Sequence, residues 1–275
     1  MSQVEQAVSE ITGRAVTRVR RLGGTACAVQ LDDGRTVFAK SAEPSSVAAE
    51  AASLEWLADA GAVPVPAVHG HDDRVLVTDH ITAGRPSPRA ADELGRGLAA
   101  LHAAGAPAFG APPPGGPADA WIGLAPMRNE HTDTWPEFYA RLRVEPYVRL
   151  ARDAGDLSTA EAKIITDRCE RLDEVPAEPP ARLHGDLWSG NVHWADRAWL
   201  IDPAAHGGHR ETDLAMLHLF GCPHLERVLA AYQEVSPLAA GWQDRIGLHQ
   251  LFPLLVHAVL FGRGYAVQAV AAARG

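Results

Sequence analysis

The stretch RLHGDLWSGNVHWADRAWLIDP constrains this chain more than any other part of it. Leu183 leads an apolar approach into His184, Gly185 and Asp186, and Asn191 follows five residues after that aspartate. A second apolar run, WLIDP, ends in Asp202. Short strand, polar loop, short strand, turn and short strand fit the pattern, so three oxygen-bearing side chains leave the ends of strands that can pair as a hairpin. Phosphoryl transfer needs such a set. One carboxylate accepts the proton of the attacking hydroxyl, and an amide with a second carboxylate holds magnesium against phosphates. In that reading Asp186 is the base, and Asn191 and Asp202 are the metal ligands.

The complementary positive group lies far upstream. Lys40 closes the strand TVFAK, and Glu50 falls ten residues later on an alanine- and leucine-rich helix. A lysine that grips phosphate oxygens and is oriented by a helix glutamate is the second half of a phosphoryl-transfer site. Gly23 and Gly24, in LGGT, stand between the first two strands. They form either a plain hairpin turn or a loop that brings backbone N–H groups close to phosphates. The extended RVLVTDH offers backbone groups of Asp79 and His80 to an adenine edge.

Periodicity divides the chain in two. Val4, Ala7, Val8 and Ile11 recur at helical spacing, and Gly13 can close that helix. Three strands are expected between Ala15 and Lys40, a helix from Ser46 to Ala60, and two strands at Ala67–Gly70 and Arg74–Thr78. ITAGRPSP then breaks the pattern, and the lobe boundary is placed there, giving lobes of residues 1–81 and 82–275. Ser87 and Pro88 read as N-cap and first residue of a helix to about Ala104. Pro107 to Pro117 is a loop, an irregular flap rather than a linker. Further helices are expected over Trp135–Ala154, after the Ser158/Glu161 capping box, and from Glu211 onward. The fold class that follows is α+β. A small antiparallel-sheet lobe with one main helix precedes a larger, mainly helical lobe.

LGGT, TVFAK, AAEAASLEWL, HGDLWSGN and LIDPAAHGGHRETDLAM together resemble the fructosamine/ketosamine kinase family, with TWPEFYARLRVEPYV adding to the likeness. That family is related to aminoglycoside and choline kinases within the protein-kinase-like superfamily. The resemblance implies a two-lobed kinase fold, ATP and magnesium as cofactors, and phosphorylation of a ketosamine on the third-carbon hydroxyl of its sugar. It implies the base at Asp186, magnesium ligands at Asn191 and Asp202, the phosphate lysine at Lys40 and its partner at Glu50. It also implies a buttress under the catalytic loop at Asp213, where a first-turn helix charge is the plainer reading. Trp188 either packs between the lobes or forms a flat wall for the sugar or amine. Ala39 departs from the bulkier residue that the family often has before the lysine.

Two other functions stay open: a phosphotransferase for another small amine such as an aminoglycoside or choline, and a nucleotide-binding pseudokinase. The full set Lys40, Glu50, Asp186, Asn191 and Asp202 speaks against the pseudokinase, and Trp188-Ser189-Gly190 favours the ketosamine. A net charge of −9 argues against nucleic acid as a partner. No apolar run approaches the roughly 20 residues of a membrane span, and three scattered cysteines suit a reducing compartment. A cytoplasmic location is the expectation. His193, His206 and His209 come without H-E-x-x-H or cysteine spacing, so zinc is not read from them.

Overall fold

The computed structural model describes residues 2–275. Helix α1 (Gln3–Thr12) opens with a reciprocal capping box between Ser2 and Glu5 and closes on Gly13, whose φ of 65° lies in the left-handed region. Strands β1 (Val16–Gly23), β2 (Ala26–Leu31) and β3 (Thr36–Ser41) follow, then α2 (Pro44–Asp59), β4 (Val68–His71) and β5 (Val75–Asp79). The five strands form one antiparallel sheet in the order β1-β2-β3-β5-β4.

Alternation decides what each sheet face does. Cys27, Val29, Val37, Ala39, Val75 and Val77 bury one face against Ala7 and Val8 of α1. Ala39 is fully buried there, so α1 sets its size and the chemistry of Lys40 does not. The opposite face carries Lys40 and Leu76. Leu76 packs on Val47, Ala51 and Leu54 of α2. Each such leucine contributes about 2 kcal/mol by burial, and their packing fixes the helix that carries Glu50.

Residues 80–87 hold neither helix nor strand. Helix α3 (Pro88–Ala103) begins where Ser87 accepts a hydrogen bond from the Ala90 N–H. It packs along the helix Leu225–Val235, and a Cβ on Gly95 would run into the carbonyl of Val228, so only glycine permits this approach. The proline-rich loop after α3 leads into a hairpin absent from the sequence reading, β6 (Asp119–Ile122) and β7 (Ala125–Arg128). The helix expected over Trp135–Ala154 is continuous but not uniform. It runs as α4 (Trp135–Phe138), a π-helical turn (Tyr139–Val144) and α5 (Glu145–Asp153). Arg143, in the wide turn, is buried over the Phe138 and Phe252 rings and donates to Asn129 Oδ1 at 2.6 Å.

Helix α6 (Thr159–Cys169) starts at the Ser158/Glu161 capping box. Strands β8 (Ala181–Leu183), β9 (Val192–Trp194), β10 (Ala198–Leu200) and β11 (His206–Gly208) form two small antiparallel pairs, β9 with β10 and β8 with β11. Helices α7 (Arg210–Leu217), α8 (Leu225–Val235), α9 (Ile246–Phe261) and α10 (Arg263–Arg274) complete the chain. The architecture is thus an antiparallel-sheet lobe with α1 and α2 followed by a helical lobe. No helix among the described residues is long and apolar enough to cross a membrane.

Candidate active site

The loop between β8 and β9 is built around Asp213. Its side chain is wholly buried, and its two oxygens accept the backbone N–H groups of His184 (2.8 Å) and Gly185 (3.0 Å). His102, at the end of α3, places Nε2 3.2 Å from the same carboxylate and Nδ1 2.9 Å from the Tyr232 hydroxyl. Burial alone would raise the Asp213 pKa. The bonds from His102 and from the loop N–H groups outweigh it, and the net shift is downward. Asp213 therefore buttresses the loop, rather than only marking the first turn of a helix.

Gly185 has a φ of 82°, and a Cβ there would collide with the carbonyl oxygen of Ala204. His184 is buried, and burial lowers its pKa, so it stays neutral. Its Nδ1 accepts the Asp186 N–H at 3.2 Å, which leaves Nε2 to donate to the Ile201 carbonyl at 3.0 Å. The imidazole is thus a strut between the loop and the strand that leads to Asp202.

Asp186 sits at the tip of this loop. Asn191 Nδ2 donates to its carbonyl oxygen at 2.8 Å and to its Oδ2 at 3.0 Å. Burial pushes the Asp186 carboxyl up to about 7; the Asn191 bond opposes this, and the charges of Asp202 and Asp213 add to it. Asp202 follows β10 with a φ of 50°, unusual for a residue other than glycine.

Lys40 reaches the same place from the sheet. Its Nζ lies 2.8 Å from Glu50 Oε2 and 3.1 Å from Asp202 Oδ1. Burial works against the ammonium, but the two carboxylates prevail and raise the Lys40 pKa, so it stays charged. Glu50 is held near that charge, while burial, opposed by Lys40, pushes its own pKa up to about 7.

These five side chains meet in a cleft of about 680 Å³. Trp188 lies along it, its indole resting on Gly190, where a Cβ would strike the ring. An aromatic series continues outward: Trp188 to Phe220 at 5.7 Å, Phe220 to His257 at 5.1 Å and His257 to Phe261 at 5.6 Å. The β6–β7 hairpin supplies the facing side, with Trp121 bonded to Ser45 at 2.9 Å and Leu124 exposed at the turn. Sequence reasoning missed Trp121, Leu124, His257 and Phe261. The only signal for the hairpin was the short alternation around Gly123.

The upstream glycines form the turn between β1 and β2. Gly23 ends β1 and Gly24 takes a φ of 51° in the β1–β2 turn, while Thr25 is the residue of LGGT that lines the cleft. The Asp79 carboxylate turns to β4, taking the Ala67 N–H at 3.1 Å and His69 Nε2 at 2.9 Å. The N–H groups of His80, Ile81 and Thr82 have no hydrogen-bond partner among the described residues.

Among the histidines, His209 and His249 converge on Glu211 in the core rather than His209 on His193. Arg245 engages both Glu211 oxygens, His249 Nε2 stands 3.2 Å from Oε2, and Thr212 bonds His249 Nδ1 at 2.9 Å. This buried ion-pair network ties α7, and hence Asp213, to α9.

The carboxylate and amide oxygens of Asp202 and Asn191 are hard donors of the kind magnesium takes. Asn191 uses its NH₂ on Asp186, so its Oδ1 remains for an ion, and Asp202 is the more exposed of the two aspartates that face the cleft. The residues fit that metal.

Known proteins similar to this chain match it along nearly its whole length. The family model described as fructosamine kinase matches residues 1–274. The chloroplastic protein-ribulosamine 3-kinase of Arabidopsis thaliana is 32% identical over 283 residues, covering 97% of this chain and 84% of that one. A solved fructosamine-3-kinase homologue from Thermobifida fusca is 47% identical, with a TM-score of 0.93 over 99% of this chain and 97% of its own. An aminoglycoside phosphotransferase solved with ADP and hygromycin B shares the fold at a TM-score of 0.67 and 18% identity, covering 99% of this chain and 98% of that one. With a match that runs through the sheet lobe, the HGD loop and the helical lobe alike, the chain belongs to the fructosamine kinase family.

Proposed function

We propose that this protein is an ATP-dependent kinase that phosphorylates the third-carbon hydroxyl of a ketosamine, a sugar joined to an amine through its first carbon. The observation that carries the reading is the meeting of Lys40 with Asp202 at 3.1 Å, beside an Asp186 held by Asn191. A charged lysine, a poised carboxylate and an oxygen pair for a cation thereby share one cleft, and the family match supports the substrate class.

Each residue then has a task. Residues 1–81 bind the nucleotide, and Lys40 draws phosphate oxygens toward the cleft floor, oriented by Glu50. Residues 82–275 hold the catalytic loop and the sugar. Asp186 accepts the proton of the sugar hydroxyl as that oxygen attacks the terminal phosphorus, and ADP leaves. A carboxyl pushed up to about 7 is a stronger base than an ordinary aspartate and still ionises near neutral pH. Asn191 and Asp202 would hold magnesium, which when bound neutralises charge on the phosphates. Trp188 gives a flat apolar wall to the C–H face of the sugar and attracts a neighbouring ammonium. A reducing, cytoplasmic setting suits the three free cysteines.

The test supplies magnesium-ATP with fructosyl-lysine, ribulosyl-lysine, kanamycin or choline. It follows ADP release and locates the new phosphate by NMR. Turnover of a ketosamine with phosphate on the third-carbon oxygen is expected. Turnover of kanamycin or choline with none on either ketosamine would replace the substrate and leave the kinase assignment standing.

A further inference from the structure

The sheet face that carries Lys40 is only partly covered by α2. Toward β1 it opens into a separate cavity of about 440 Å³, lined by Arg18, Arg20, Ala28, Gln30, Thr36 and His80, with Thr82 at its edge. Register puts these residues on the Lys40 face. Ala26 pairs with Lys40, Ala28 with both Phe38 and Arg20, and Gln30 with both Thr36 and Arg18. At about 3.3 Å per residue, Ala28 and Gln30 stand roughly 7 and 13 Å along β2 from the partner of Lys40. A nucleotide with its phosphates at Lys40 and its base directed along β2 would bring the base to this cavity.

The two arginines have no structural employment. Arg14 and Arg35 share Asp33 nearby. Arg18 and Arg20, both exposed, have no carboxylate within 4.0 Å among the described residues, in a chain whose net charge is −9. They occupy the open end of the cavity opposite the small side chain of Ala28, which leaves room beneath Arg20. His80 faces them and stays neutral, its pKa lowered by burial and then by the Arg20 charge. The free N–H groups of His80, Ile81 and Thr82 supply edge donors at the same place. A planar cation, free donors and a slot beside a phosphate site suit a flat, electron-rich heterocycle, and guanidinium planes stack on bases.

We propose that Arg20 stacks its guanidinium on the purine ring of the bound nucleotide while Arg18 flanks the outer edge of that ring, so that a cation–π contact from β1 holds the base. This rests on the reading of the cleft as an ATP site. Phosphates belong at the other end, where Lys40, Asn191 and Asp202 already gather, so the arginines act on the base and not on the triphosphate.

The experiment measures magnesium-ATP binding by calorimetry for the wild type, Arg20→Ala, Arg20→Lys and the double variant Arg18→Ala/Arg20→Ala. Inhibition by inorganic tripolyphosphate, which has phosphates and no base, is measured on the same proteins. Arg20→Ala should weaken ATP about tenfold, the double variant should weaken it further, and Arg20→Lys should recover little because lysine has no plane to stack. Tripolyphosphate inhibition should not move, and KM for ATP should rise with kcat held within about twofold. Unchanged ATP affinity in the double variant would overturn the proposal, as would an equal loss for tripolyphosphate, which would put the arginines on phosphate. Binding is read without the second substrate. A wild type that binds ATP yet phosphorylates no ketosamine therefore refutes the substrate assignment and still decides this one. A wild type that binds no ATP overturns both.

Discussion

On the helical side of the cleft, Asp213 is buried and takes the N–H groups of His184 and Gly185, while on the sheet side Lys40 bridges Glu50 and the more exposed Asp202. The side chains of Asp213 and His102 are 1% and 2% exposed, whereas those of Lys40 and Asp202 are 28% and 44% exposed. The first arrangement is part of the fold and is complete before any ligand arrives. The second consists of charges that water reaches, in a geometry that phosphates and a cation can rearrange. In the proposed function, the base is thus fixed by folding and the phosphate grip is left to be finished by the nucleotide.

The largest expected effect is on the sheet side. Asp202→Ala removes an oxygen ligand for the cation and one partner of Lys40. Turnover should fall on the order of 10³-fold, the scale of a lost electrostatic contact in a transition state. The side chain is exposed enough that the melting temperature should hardly move. Wild-type-like turnover in steady-state assays would remove Asp202 from the phosphate grip.

Stability should respond on the helical side instead. Asp213→Ala leaves two loop N–H groups and His102 without their acceptor in the core, at a cost of about 3 kcal/mol. Lys40→Met should cost less, about 1–2 kcal/mol, because the half-buried Glu50 loses its partner but can take up a proton while Asp202 stays in water. Urea unfolding of the two variants gives the comparison directly. Equal losses would mean that both walls are structural.

A pH series sharpens the contrast further. Asp186, pushed up to about 7 mainly by burial, must be ionised to act as base, so kcat/KM should rise with pH along a limb near 7. Stability runs the other way through the same group. Between the ordinary aspartate range and about 7 the folded chain keeps a proton that the unfolded chain has released, so this contribution falls as pH rises. Asn191→Ser removes a bond that favours the ionised carboxylate and should move the activity limb upward by a fraction of a unit. A limb unmoved in pH–rate profiles would separate Asn191 from the base.

Much of this site was legible because its spacing is local. Asp186, Asn191 and Asp202 leave one small set of strands within seventeen residues, and Lys40 and Glu50 lie on a strand and the helix after it. Caps were legible for the same reason: Ser87-Pro88, Gly13 and the Ser158/Glu161 box each act over three or four residues. What stayed hidden depends on distant partners. The β6–β7 hairpin has two four-residue strands and looks like loop until α2 and α9 enclose it. Nothing near Glu211 announces Arg245 and His249, more than thirty residues on. The π-helical turn follows from where Arg143 is buried, not from its own propensity. The direction of Arg18 and Arg20 hangs on a register shift between Val16 and Arg18, which simple alternation does not reveal.

The division of labour between the two walls is tested most directly by Asp186→Asn, assayed for kcat and for magnesium-ATP affinity in the same preparation. Asparagine keeps the size of the side chain and cannot take the proton. The expected result is a loss of about 10²-fold or more in kcat and an ATP dissociation constant within about twofold of wild type, since Lys40 and the oxygen pair stay in place. A variant that keeps its kcat while losing ATP affinity would contradict the account and move Asp186 to the phosphate side of the cleft.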